Sequence, residues 1–291
     1  MRASFPLTAP TWPGGAEPRP LERRTGSDYD VAWARRYPAR VARAVIVDQV
    51  LRPVVHVLGS PKLHGLDRVE ALDPPAIFAA NHQSHLDTPL LLTSLPDRFR
   101  HRAVVAAGAD YFFPNRVVGA VSALAIGAFP IERRRVSRRS ADVAAEFLDD
   151  GWSLVIFPEG GRSPDGWGQP FRGGAAYLAL RTGRPVVPVH LEGTRRVLKR
   201  GAKVPARATV HVTFGSPLRP HDGDDARSFG SRIEHAVAML ADERSTDWWA
   251  ARRRAAAGDT PALTGPDVPS WRRTWALDES RRRRAERRWP R

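Results

Sequence analysis

The sequence of 291 residues contains no cysteine. This absence excludes disulfides, cysteine-based zinc sites and thiol nucleophiles, and it leaves the redox compartment undecided. No serine lies in the glycine-flanked pattern of a nucleophile elbow either. Acid–base chemistry in this chain must therefore come from histidine, carboxylate or basic side chains.

Lysine is almost absent as well, occurring only at Lys62, Lys199 and Lys203, so arginine supplies the rest of the 46 basic residues. A GC-rich genome would produce this preference for arginine, but it does not explain the formal net charge of +15. Such a surplus favours an anionic partner, either a phospholipid surface or nucleic acid. Because no helix-turn-helix, RNP or zinc-finger pattern is present, we expect an anionic membrane surface and no nucleic acid.

The sequence also lacks a long hydrophobic run. The longest uncharged stretch, residues 117–131, has 15 residues and contains two glycines and a proline, whereas a helix needs about 20 residues to span a bilayer. Residues 1–22 lack the continuous apolar core of a secretory signal. We therefore expect a peripheral protein at the cytoplasmic face of the cell membrane, with no signal peptide and no spanning helix.

The segment that most constrains the chemistry is Asn-His-Gln-Ser-His-Leu-Asp, residues 81–87, which follows the apolar run 76–80. On a regular helix, five residues turn through about 500°, so His82 and Asp87 would point to different faces. They can meet only if His82 lies on a strand-to-helix turn and Asp87 on the helix that follows. A carboxylate bonded to one imidazole nitrogen leaves the other free to take a proton, so the pair predicts a general base for a substrate hydroxyl. His85 in the same segment has no further candidate ligands elsewhere, and we expect no metal site.

Three more blocks follow similar apolar runs. The block at 157–163, Phe-Pro-Glu-Gly-Gly-Arg-Ser, follows the run 153–157. The block at 127–133, Gly-Ala-Phe-Pro-Ile-Glu-Arg, lies where an apolar stretch ends and a cluster of arginines begins. The last block, Val-Val-Pro-Val, lies at 186–189. Strand-like runs alternate with helix-like runs, which predicts an α/β fold with a mainly parallel sheet. The predicted strands are 76–80, 103–107, 153–157, 185–190 and 208–214. The predicted helices are 84–95, 115–124, 137–149, 174–181 and 226–241. Motifs at the carboxyl ends of the strands should converge at one edge of the sheet.

In this order, the four blocks resemble those of the glycerolipid acyltransferase family, the 1-acylglycerol-3-phosphate acyltransferase-like or PlsC-like proteins. The resemblance covers about residues 40–220. The residues that match the first block, Asn-His-x-x-x-x-Asp with a serine two residues after the histidine, are Asn81, His82, Ser84 and Asp87. Arg133 matches the arginine of the second block, and the valines and proline of 186–188 match the fourth. The third block is met everywhere except at Gly161, where the family has threonine.

The resemblance implies a mainly parallel central sheet flanked by helices, glycerol-3-phosphate acyltransferase-like, with an N-terminal amphipathic helix. It implies transfer of a fatty acyl group from acyl-CoA or acyl carrier protein to a hydroxyl of a lysophospholipid such as 1-acylglycerol-3-phosphate. The thioester is a co-substrate, and no bound cofactor is implied.

For the site, the resemblance implies that His82 and Asp87 are catalytic and that a second set binds substrate. That set comprises Asn81, Ser84, Arg133, Glu159, Gly160 and Arg162. Within it, Glu159 contacts a hydroxyl of the acceptor, and Arg133 and Arg162 hold its phosphate. Glycines beside Glu159 let the backbone approach a polar ligand closely. Gly161 in place of threonine removes a hydroxyl, which bears on the acceptor rather than on the reaction type.

We predict a flexible arm at 1–28, an acyltransferase domain at 29–242 with a helical element at 29–58, and a Trp/Arg-rich extension at 243–291. The helical element either docks on the core or lies at the membrane interface, and Pro53 should kink or break it. The extension contacts the membrane, packs over the domain or is disordered. Three alternatives to lysophospholipid acylation stay open: another lipid or polar acceptor, a hydrolase in which His82 activates water, and a non-catalytic membrane-associated domain.

Overall fold

The protein is described by a computed structural model that covers residues 26–132, 138–199, 202, 204–268 and 272–273. The strands in these residues are β1 Lys62–His64, β2 Ile77–Ala80, β3 Ala103–Gly108, β4 Ala128–Ile131, β5 Ser153–Ile156, β6 Val186–Glu192 and β7 His211–Phe214. The helices are α1 Tyr37–Val45, α2 Arg52–Gly59, α3 Asp87–Ser94, α4 Asp97–Arg100, α5 Ala109–Phe112, α6 Arg116–Ile126, α7 Arg138–Asp149, α8 Gly174–Thr182, α9 Thr194–Val197, α10 Ala226–Ser245 and α11 Trp248–Ala257.

The strands form one sheet in the order β1-β7-β6-β2-β5-β3-β4. Neighbouring strands run parallel except β6 and β7, which are antiparallel. Strands β2 and β5 lie at the centre, and all four residues of each are buried. Burial on both faces is typical of a parallel sheet covered by helices. The predicted α/β class with a mainly parallel sheet is confirmed.

The sheet separates two hydrophobic layers. Along β2, Ile77 and Ala79 pack into one layer, and Phe78 and Ala80 pack into the other, as the two-residue period of a strand requires. In the second layer, Phe78 makes edge-to-face contacts with Phe99 at 5.2 Å and with Phe214 at 6.5 Å between ring centroids. This packing holds the carboxyl end of β2, from which the first motif begins.

The five predicted strands correspond to β2, β3, β5, β6 and β7, with ends that differ by a few residues. The sequence did not predict β1 or β4, which are the two edge strands. Strand β1 is mostly exposed, so it carries no apolar run. Strand β4 contains Pro130, which cannot donate to a ladder and is tolerated at an edge of the sheet.

The N-terminal helical element continues past Pro53. Helix α1 ends at Val45, a π-helical turn spans Ile46–Leu51, and α2 begins at Arg52. The π turn is closed by the Arg52 N–H, which donates to the Val47 carbonyl. Pro53 therefore lies in the first turn of α2, where its missing N–H costs little. The interruption that we predicted at Pro53 lies in the turn just before it.

The element is docked on the core through Arg43, Val47 and Val55, which are buried. The Arg43 guanidinium lies over the ring of Trp152, 5.1 Å from its centroid. It also packs so closely on Gly127 that a β-carbon there would lie 2.8 Å from Nη1. Burial, and then the charge of Arg40, lower the pKa of Arg43 to about 10. In the part of the chain that the structure describes, no helix is both long and apolar enough to cross a bilayer.

Candidate active site

The first motif links β2 to α3. His82 lies in the loop after β2, and Asp87 is the first residue of α3. His82 Nδ1 and Asp87 Oδ2 are 2.9 Å apart, and the Asp87 side chain is fully buried. The structure thus brings the two side chains together in the way that the five-residue spacing requires.

One oxygen of Asp87 organises the whole loop. Besides the His82 ring, Oδ2 accepts the backbone N–H groups of Gln83 at 2.6 Å and Ser84 at 2.7 Å. The carboxylate also lies at the N-terminus of α3, where the helix dipole stabilises a negative charge. With an ionised Asp87, His82 Nδ1 is the protonated nitrogen, and Nε2 is the nitrogen that can accept a proton.

The His82 ring and backbone are held by the third motif. The ring stacks on Phe157 with 4.2 Å between centroids. The His82 N–H donates to Glu159 Oε1 at 2.7 Å, and its carbonyl accepts the Ser163 N–H at 2.9 Å. These contacts arise because β2 and β5 are parallel neighbours, whose carboxyl ends meet at the same edge of the sheet.

Glu159 is 2% exposed, and its two oxygens accept two backbone N–H groups, from His82 and from Gln169 at 2.9 Å. Burial raises the pKa of Glu159 to about 7, although the two backbone hydrogen bonds oppose this rise. Through these two hydrogen bonds, Glu159 links the His82 loop to the backbone of residue 169. Its predicted contact with an acceptor hydroxyl stays a prediction.

Asn81 and Ser84 are also buried and bonded to backbone groups. The Asn81 amide bonds both backbone groups of Leu191, with Nδ2 2.9 Å from the carbonyl oxygen and Oδ1 2.7 Å from the N–H. Ser84 Oγ donates to the Leu198 carbonyl at 2.8 Å. These bonds tie the His82 loop to β6 and to the segment after α9. The predicted substrate contacts of Asn81 and Ser84 stay predictions.

A cleft opens beside His82. Its lining includes the polar residue Arg172, the glycines Gly160 and Gly161, and apolar residues of strands β3, β4 and β5. The remaining lining residues are Thr88, Val105, Ala106, Ala107, Gly108, Phe112, Ile131, Glu132, Ile156, Phe157, Pro158 and Gly174. His82 therefore lines a cleft that contains both apolar side chains and a cation.

The two glycines of the third motif differ. Gly160 has a φ of 70°, and a β-carbon there would lie 2.9 Å from the guanidinium of Arg172, so only glycine permits this packing. A β-carbon on Gly161 would meet nothing within 4 Å. A β-carbon at this position is therefore accommodated without contact.

Of the predicted phosphate-binding arginines, Arg162 lies over the ring of Tyr111, 5.9 Å from its centroid. Arg133 lies outside the described residues. Arg172, which lies in the cleft lining, was not among the predicted site residues; it follows the third motif and precedes the glycine pair at which α8 begins. A cation placed just before such a helix start was the available signal, because helix N-termini and guanidinium groups both attract phosphate.

The sequence is similar to those of known acyltransferases. A family model described as "Acyltransferase" matches residues 60–192. The chain is 33% identical over 160 residues to the chloroplastic 1-acyl-sn-glycerol-3-phosphate acyltransferase BAT2 of Brassica napus, and 35% identical over 132 residues to the human 1-acyl-sn-glycerol-3-phosphate acyltransferase beta. Over this part of its length, the chain is similar to glycerolipid acyltransferases. The match to the Brassica protein covers 54% of this chain and 44% of the relative, and the match to the human protein covers 42% and 45%.

The fold of this chain is also found in a solved structure. The crystal structure of the 1-acyl-sn-glycerophosphate acyltransferase PlsC from Thermotoga maritima superposes with a TM-score of 0.57 at 24% identity. The superposition covers 76% of this chain and 85% of the other. It shows that the sheet and its flanking helices have the same fold as that structure.

Proposed function

We propose that the chain is an O-acyltransferase that moves a fatty acyl group from a thioester donor to a hydroxyl of a lysophospholipid such as 1-acylglycerol-3-phosphate. The observation that carries the proposal is the pair formed by His82, which lines the cleft, and a fully buried Asp87. The names of the relatives support the acceptor.

In the proposed reaction, His82 Nε2 takes the proton of the acceptor hydroxyl, whose oxygen attacks the carbonyl carbon of the thioester. The new C–O bond forms and the C–S bond breaks. The departing thiolate receives the proton from His82, so the products are an ester and a free thiol. Asp87 stabilises the imidazolium that forms between these steps. A thiol has a pKa of about 8.5 in water, so its thiolate leaves without a second strong acid.

The lining of the cleft suits both parts of the substrates, because it contains apolar strand residues and the cation Arg172. The apolar walls from β3, β4 and β5 accept acyl chain, and Arg172, Arg162 and Arg133 hold the acceptor phosphate, because guanidinium groups bind phosphate bidentately. Acyl-CoA or acyl carrier protein acts as co-substrate. The chemistry requires no metal and no bound cofactor.

We also propose that the chain docks peripherally on the cytoplasmic face of the membrane through a valine face. This face consists of the exposed residues Val41, Val45, Val50, Val54, Val57, Val117, Val118 and Val121. Helix α6, which carries the last three, packs against α1 and the π turn. The exposed cations Arg36, Arg52 and Arg116 lie on the same elements or beside them, and apolar surface next to arginine suits anionic lipid.

The experiment that tests the function incubates the purified chain with labelled acyl-CoA or acyl carrier protein and a panel of lysolipids, and identifies products by mass. Acylated 1-acylglycerol-3-phosphate is the expected product. If the ester forms on a different acceptor, the proposed acceptor is wrong and the proposed chemistry stands. Free fatty acid without ester identifies a hydrolase, and absence of any product overturns the enzymatic proposal.

A further inference from the structure

The C-terminal segment returns to the candidate site. Helix α10 runs past the predicted domain boundary at residue 242 to Ser245, and α11 follows at Trp248–Ala257. We call residues 258–268 together with Arg272 and Arg273 the strap. The strap lies against residues 163–169, which we call the 163–169 loop and which directly follow the third motif.

Backbone and ring contacts hold the middle of this loop. The Gly168 N–H donates to the Leu263 carbonyl at 2.9 Å, and the Trp167 indole Nε1 donates to the Arg273 carbonyl at 2.9 Å. Gly265 packs so closely on the Trp167 ring that a β-carbon would lie 2.3 Å from it. The indole therefore packs directly against the strap.

An ion pair completes the contact. Arg273 Nε is 2.9 Å from Asp165 Oδ2, and the same guanidinium donates to the carbonyls of Thr264 and Pro266 at 2.9 Å each. Burial alone would raise the pKa of Asp165, but the hydrogen bonds from Arg273 and from the Trp167 N–H lower it overall. One arginine thus bonds both the loop and the strap itself.

The other side of the loop holds His82. At its first residue, the Ser163 N–H donates to the His82 carbonyl, and at its last, the Gln169 N–H donates to Glu159, which accepts the His82 N–H. Both backbone hydrogen-bonding groups of His82 therefore depend on the two ends of a loop whose middle is held by the strap. The family match ends at residue 192, so the strap reaches this site from outside the matched segment.

We infer that the strap is a positioning element for the general base, with Asp165 and Arg273 as its positioning residues. The inference rests on the proposed function, because it assumes that His82 takes the acceptor proton. Loss of the ion pair frees the 163–169 loop to move, and small displacements of a reacting group lower the rate of the chemical step more than substrate binding.

The test uses the full chain with Asp165→Asn, Arg273→Ala and Arg273→Lys, and Arg253→Ala on α11 as an exposed control. For Asp165→Asn and Arg273→Ala we expect kcat to fall by about 10- to 100-fold with little change in acceptor KM. The double variant should lose no more than either single one, because both act through one contact. Arg273→Lys should recover part of kcat, and Arg253→Ala should match the wild type.

Hydrogen exchange of the amides in residues 81–87 provides a readout that does not depend on turnover. Faster exchange there in Asp165→Asn and Arg273→Ala, with unchanged circular dichroism, supports the inference. If these amides stay as protected as in the wild type while exchange rises only in the strap, the strap packs without positioning His82 and the inference is overturned. A wild type that transfers no acyl group sinks the proposed function, and the exchange data still decide the role of the strap.

Discussion

A single carboxylate oxygen, Asp87 Oδ2, organises the candidate site. Asp87 Oδ2 receives three N–H donors, from the His82 ring and from the backbones of Gln83 and Ser84. The same oxygen therefore sets the tautomer of the proposed base and the shape of the loop that presents it. Substitution of Asp87 changes both, whereas substitution of His82 removes the base and leaves the carboxylate with its two backbone donors.

His82→Ala should lower acyl transfer by at least about 100-fold, the lower end for a positioned general base. The variant should keep the circular dichroism spectrum of the wild type, because the His82 backbone still bonds Glu159 and Ser163. Steady-state kinetics with labelled acyl-CoA measure the loss. His235→Ala, at an exposed histidine on α10, is the matched control. Near-normal turnover by a folded His82→Ala variant would contradict the proposed role of His82 as the general base.

Gly160→Ala and Gly161→Ala form a second pair of variants. The first places a β-carbon at a φ of 70° and 2.9 Å from Arg172, so we expect a loss of about 1–3 kcal/mol in the free energy of unfolding. The second meets open space and should leave stability within about 0.5 kcal/mol. Urea denaturation of both variants measures the difference. Equal losses would contradict the distinction between the two glycines.

At the scale of elements, one set of helices and loops forms the candidate site and another set forms the valine face. Helix α3 and the loops after β2 and β5 converge on the site, while α1, the π turn, α2 and α6 present the valine face. The π turn lies between α1 and α2, so it changes the helical register in the middle of this surface. The proposed docking and the proposed catalysis therefore use separate elements and can be tested separately.

Val117→Asp combined with Val121→Asp should weaken binding to vesicles that contain phosphatidylglycerol. The change removes apolar contact and places negative charge against an anionic surface. Binding of the wild type should also weaken as salt rises, because exposed charges are screened. Vesicle co-sedimentation measures both effects, with Val204→Asp as a control at another exposed valine. If the double variant binds as the wild type does, the valine face is not the docking surface.

At the scale of the whole molecule, the site is assembled from distant parts of the chain. His82, Glu159 and the strap come together only in the folded state. The described part of the extension packs over the domain, which is one of the three possibilities that the sequence left open. Trp271, Trp275, Trp289 and the arginine run at 281–284 lie outside the described residues, and their predicted membrane contact stays a prediction.

The raised pKa of Glu159 makes the stability of this assembly depend on pH. Burial raises its pKa to about 7 in the folded state, above the ordinary value of 4.5. The folded chain thus binds more protons than the unfolded chain between these values, so the contribution of Glu159 to stability is largest below pH 4.5 and falls as pH rises towards 7. We expect the difference in unfolding free energy between wild type and Glu159→Gln to fall over this range by a few kcal/mol, on the order set by the pKa change. Urea titrations at several pH values measure it. A difference that is flat with pH would contradict the raised pKa.

The sequence by itself determined the α/β class and the starts of the motifs, because apolar runs and the helix and strand periods are local properties. The five-residue spacing of His82 and Asp87 even dictated the strand-to-helix turn on which they meet. Tertiary structure decided what depends on distant partners. The edge strands β1 and β4, the burial of Glu159, the approach of Arg172 to Gly160 and the strap on Trp167 all arise from segments far apart in the chain. The hydrophobic periodicity of the sequence does not predict such contacts, because their energy comes from packing and hydrogen bonds that exist only after folding.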